Sequence, residues 1–127
     1  MTSTTPHIPA ADLAAALLRL AEVVQHMTKT YGIYAEGRAY ISSTAVTFVA
    51  YGGDPAAYCD QTSRNLAWNE ALARTRHDNT RGRCQALDDA IESALADGLP
   101  GDYSDGGNRY TPDQIREVAH RLTPDAA

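Results

Sequence analysis

The chain is poor in the residues that usually announce a chemistry. Its only cysteines are Cys59 and Cys84, too few and too far apart for a disulfide framework or a cysteine zinc site, so both are read as reduced core thiols. The four histidines, His7, His26, His77 and His120, form no His-x-x-x-His pair, which removes the usual basis for a metal site or a general-base cluster. No Gly-x-Ser-x-Gly elbow presents a nucleophile. No run of about 18 apolar residues occurs. The start "MTSTTPHIPAAD" lacks the charged and apolar blocks of a secretory signal. Together these absences lead to the expectation of a cytoplasmic protein with no membrane segment, no metal, no cofactor and no catalytic set.

What is present fits one small domain. At 127 residues, with 43% apolar and 21% charged side chains, the chain can bury a single modest core. Its aromatics are seven tyrosines against one Trp and one Phe, and tyrosine serves interfaces better than cores. The net charge of −5 is uneven: residues 61–84 carry +3 and residues 85–127 carry −6. An acidic chain repels nucleic acid at long range, so contact with DNA or RNA would rest on the central arginines alone.

Periodicity and caps place the elements. Residues 1–8 are polar and unpatterned and read as a disordered lead, and 123–127 as a disordered tail, leaving 9–122 as one domain. After Pro9, Leu13, Leu17, Leu20, Val24 and Met27 recur at helical steps, giving a helix that ends at Gly32. Residues 33–51 turn to period two and are rich in β-branched and aromatic types, which predicts a hairpin turning at Ser42-Ser43. Asp54 and Pro55 open a helix expected to run to about Arg76. "HDNTRGR" interrupts it, and Cys84, Leu87, Ile91 and Leu95 mark another helix that stops at Gly98. Finally "TPDQ" forms a capping box before Ile115, Val118 and Leu122. The predicted fold is therefore α+β, in the order helix, strand, strand, helix, helix, helix, with a two-stranded antiparallel hairpin packed on helices.

Gly32, Ile33, Tyr34, Tyr40 and Ile41 in "YGIYAEGRAYISS" resemble the opening letters of the GIY-YIG nucleases. The resemblance covers about a tenth of the chain. It would imply two neighbouring strands, a catalytic arginine on a following helix and a later glutamate holding a divalent metal. The chain departs from that pattern in its short spacing, in Ser42 where the closing glycine belongs, and in a strand-like stretch where the arginine helix should stand. The stretch is accordingly read as a hairpin strand and the protein as not an enzyme. The loop "DYSDGGN", with Asp102, Ser104, Asp105 and Asn108, misses the EF-hand spacing and reads as a polar turn. Gly52-Gly53 precede a helix start, but the Asp54 carboxylate already occupies the place where a phosphate would bind.

Two candidate contact surfaces remain. The outer hairpin face would gather Tyr34, Arg38, Tyr40 and Tyr51, residue types that interfaces enrich. The segment 64–83 carries Arg64, Arg74, Arg76, Arg81 and Arg83 without a lysine, a pattern suited to bidentate contact with carboxylate or phosphate. Two plainer uses compete for these arginines: a solvated helix face, and internal pairing with Asp88, Asp89, Glu92 and Asp97. Trp68 and Tyr58 are placed on one helix, with Trp68 as a core anchor. The functional expectation is a regulatory protein that binds a protein partner of unknown identity by occupying its surface, in the manner of phage or mobile-element inhibitors of host machinery. It is expected to be a homodimer, since a lone hairpin leaves its edges open. The alternative is a nucleic-acid or nucleotide-phosphate binding module using the arginine segment.

Overall fold

The computed structural model describes residues 7–31, 39–40, 43–98 and 109–123. Among them the fold is helical: α1 (Ala10–Tyr31), α2 (Ser43–Ala50), a 3-10 turn (Pro55–Ala57), α3 (Gln61–Asp78), α4 (Arg81–Gly98) and α5 (Pro112–Leu122). The sole extended pairing among these residues is a two-residue antiparallel bridge between β1 (Ala39–Tyr40) and β2 (Arg109–Tyr110), with Ala39 opposite Tyr110 and Tyr40 opposite Arg109.

The α+β hairpin is therefore incorrect. Its second strand is α2, and the one stretch of its first strand that is described pairs with residues before α5 instead. The cause lies in the sequence "STAVTFVA". Ala45, Val46, Phe48, Val49 and Ala50 are all buried, so the segment is apolar nearly all round, and a short run of that kind fits a buried helix as well as a strand. Packing between α1 and α4 decides the outcome over the β-propensity of valine and threonine.

Backbone geometry at the end of α2 supports the helix. The Gly53 N–H donates to the Phe48 carbonyl at 2.8 Å and the Gly52 N–H to the Val49 carbonyl at 3.0 Å, the two bonds of a Schellman stop. Gly52 takes φ +90°, a conformation open to glycine at little cost. A Cβ on Gly53 would sit 2.5 Å from Phe48 Cε2, so the chain can pass the ring only because this residue has no side chain.

The expected long helix from Pro55 to Arg76 is also corrected. Asp54 does cap a helical start, accepting the Ala56 N–H at 3.0 Å, but only for the 3-10 turn. The chain then breaks, and Asp60 caps α3 by accepting the Ser63 N–H at 2.9 Å. Tyr58 and Trp68 consequently stand on different elements. The interruption at "HDNTRGR" is as expected: Asn79, at φ 56°, closes α3, and the Thr80 N–H reaches the Thr75 carbonyl at 2.9 Å.

The core forms around α1, from which Leu17, Leu20, Val23 and Val24 are buried. The seam with α5 receives Ile115, Val118 and Ala119 from the other side, and Arg116 Nη2 donates to Gln25 Oε1 across it at 2.6 Å. The capping box of α5 forms as read, with the Gln114 N–H on Thr111 Oγ1 at 3.1 Å and the Thr111 N–H on Gln114 Oε1 at 2.9 Å. From α4, Ile91 and Leu95 complete the core.

Candidate functional site

Of the tyrosine-rich face, Tyr34 and Arg38 lie outside the described residues, and Tyr40 is placed by its backbone alone, in β1. Tyr51 is buried, at 6% exposure. Its ring centroid lies 5.2 Å from that of Trp68, and its hydroxyl meets Gln85 Oε1 at 3.4 Å. As a member of an exposed hairpin face Tyr51 is thus corrected: with the hairpin replaced by α2, it closes the core beside α3. The candidate loop 102–108 lies outside the described residues.

The five arginines are all placed, and they divide. Arg64 stacks on Tyr58, its Cζ 5.1 Å from the ring centroid, and Nη1 donates to the Tyr58 carbonyl at 3.3 Å. Arg74 Nη2 donates to the Gly52 carbonyl at 3.1 Å, holding the turn after α2 against α3. Arg83 Nη2 pairs with Asp12 Oδ2 at 2.9 Å, tying the start of α4 to the start of α1. Arg76 and Arg81 are exposed and enter no ion pair among the described residues. The expected pairing with Asp88, Asp89, Glu92 and Asp97 is not seen there; the one carboxylate used is Asp12.

The acidic run serves a different purpose. Asp88 is buried at 6% exposure and accepts the Thr47 hydroxyl at 2.6 Å, joining α4 to the centre of α2. Burial pushes the Glu92 carboxyl above its usual range, and the charges of Asp88 and Asp89 push it the same way. An acid that holds its proton more tightly folded than unfolded favours folding below the ordinary carboxylate range, and that contribution is lost as pH rises through its folded-state value. Glu92→Gln should therefore match the wild type in acid and be modestly more stable at neutral pH, which thermal melts across a pH series will show.

The helix that carries three of these arginines is weakly packed. Among its 18 residues only Ala71 and Thr75 are fully buried. Leu66, Asn69, Ala73 and Arg76 recur at three or four residue steps and are all exposed, Leu66 at 60%. Glu70 and Arg74 have the spacing of a supporting ion pair but form none, because Arg74 turns to Gly52. Sequence reasoning singled out the arginines and overlooked Leu66, whose signal was a leucine off the buried stripe of its own helix.

No family model, curated protein or solved structure matches this chain. Among the described residues no helix is long and apolar enough to cross a membrane, and no three His, Cys, Asp or Glu side chains gather as metal ligands.

Proposed function

We propose that this chain is a non-enzymatic binding protein of the cytoplasm that recognises an acidic surface of a partner protein through the outer face of α3 and the α3–α4 turn. The observation that supports this reading is the small share of α3 that is buried. A helix that is polar nearly all round and, among the described residues, has no arginine–carboxylate pair along its length is poorly stabilised by itself. A partner seated on Leu66 would supply the missing burial, and Arg76 and Arg81 would supply charge complementarity to carboxylates.

A protein is favoured over nucleic acid by the number of free cations. Three of the five arginines are engaged internally, whereas nucleic-acid binding draws its affinity from several neutralised phosphates. Of these five, Arg76 and Arg81 make no hydrogen bond or ion pair among the described residues, and with a net charge of −5 they make a poor phosphate track but an adequate contact for one acidic segment. Blocking the partner's own surface, as an inhibitor does, is the simplest consequence of such a contact. The homodimer expected from open hairpin edges loses its motive with the hairpin, and the contact is assigned to α3 instead.

Affinity capture from cell extract, run in parallel with wild type, Leu66→Asp/Arg76→Glu and Leu18→Ser, tests the reading. Leu18 is also exposed, at 40%, but lies on α1. A captured acidic protein should be retained by Leu18→Ser and bound at least tenfold more weakly by the α3 double variant, and its binding should weaken as salt rises. Capture that survives the double variant removes α3 as the contact. A dimer mass by light scattering that the double variant reduces to a monomer would make the partner a second copy.

A further inference from the structure

A pocket of about 400 Å³ opens between α2 and α3, on the side of α3 away from Leu66 and independent of the contact proposed above. Two rings, Phe48 and Trp68, give it apolar wall; Ser43, Thr44, Thr47, Asn65 and Arg64 give it polar groups. Its size lies within the range of small-molecule sites, which pair apolar surface with a few convergent polar groups.

The charge in this pocket is unbalanced. Among the described residues no acidic side chain lines it, and Arg64 enters no ion pair there. The guanidinium is held by two neutral partners, the Tyr58 ring and the Tyr58 carbonyl. Those contacts fix the planar group while using, among the described residues, one of its five N–H donors, so further N–H groups stay available for an anion. Thr47 has its proton committed to Asp88 at 2.6 Å, which leaves Thr47 Oγ1 as an acceptor. The Asn65 amide and the Ser43 and Thr44 hydroxyls can act in either sense.

We propose that this pocket binds a small aromatic carboxylate, its ring against Phe48 and Trp68 and its anionic group on Arg64. A monoanion is favoured over a phosphate dianion because one guanidinium balances one charge, and the net charge of −5 opposes a second.

Trp68 is the single tryptophan of the chain, so one indole N–H cross-peak in a ¹⁵N–¹H correlation spectrum reports on the pocket directly. Titration with 1-naphthoate should move that peak saturably, and calorimetry should give an affinity at least tenfold tighter than for the neutral isostere 1-naphthamide. Arg64→Gln should bring naphthoate down to the naphthamide level, while Lys29→Gln, exposed on α1 and outside the pocket, leaves it unchanged. Should Arg64→Gln fail to fold for want of its stack on Tyr58, Arg64→Lys keeps the charge, and it should keep a preference for carboxylate over amide. Equal binding of naphthoate and naphthamide, or no saturating shift at millimolar naphthoate, would overturn the proposal.

Discussion

Phe48→Ala should lower the free energy of unfolding by about 3–5 kcal/mol, the range for removing a buried aromatic ring. Phe48 is 2% exposed, meets Tyr58 edge-on with ring centroids 5.3 Å apart, and is overlain by the Gly53 backbone. Domains of this size hold on the order of 5–15 kcal/mol in total, so the variant is expected near its limit, and Phe48→Leu supplies a milder step. Gly53→Ala presses on the same ring from the opposite direction, with its Cβ 2.5–2.7 Å from three ring atoms, and overpacking of this kind costs about 1–3 kcal/mol. The two changes should not add. With the ring gone the new methyl has space, so the double variant should be more stable than the sum of the single losses requires. Urea titrations followed by far-UV circular dichroism will measure wild type, both single variants, the double variant and Phe48→Leu. Strict additivity would show that Gly53 and Phe48 do not share that space.

Thr47→Val should cost about 2–3 kcal/mol, because it keeps the shape of the side chain and removes the 2.6 Å donor to a buried carboxylate, and bonds to charged groups lie at the strong end of the scale. Thr47→Ser is the discriminating control. It loses a methyl group and keeps the hydroxyl, so it should retain most of the stability if the bond to Asp88 is what matters. If the serine variant is as damaged as the valine one, then methyl packing and not the Asp88 bond joins α2 to α4. Either result is read from the same denaturant titration, and an unchanged slope would indicate that the unfolded state is not altered.

The parts of this fold legible in the sequence are those specified within one turn of the chain. The capping box at Thr111 and Gln114, the stop at Asn79 and the leucine stripe of α1 each depend on neighbours three or four residues away, and each forms. Helix α2 was not legible, because whether "STAVTFVA" becomes strand or helix depends on α1 and α4 closing around it, information distant in sequence. Asp60 was passed over as a cap because the stronger Asp-Pro signal at Asp54 and Pro55 lies just before it. The arginine segment was visible as composition, yet the division into engaged and free guanidiniums required Tyr58, Gly52 and Asp12 to be positioned first. The pocket between α2 and α3 gave almost no signal, since half of its lining comes from the segment mistaken for a strand. Arg64 and Trp68, four apart on one helix face, were the only local trace.

The seam between α1 and α5 also bears on how the protein is made. Ribosomal synthesis delivers α1 before α5, and Ile115 and Val118, which share the core with its apolar stripe, follow only after α2, α3 and α4. At roughly 5–20 residues per second, the span from Tyr31 to Pro112 leaves that stripe incompletely covered for seconds on each nascent chain. During this interval Leu17, Leu20 and Val24 lack the cover that Ile115 and Val118 share with them in the finished core. Arrival of α5 ends the exposure, so α5 acts as the latch of the fold.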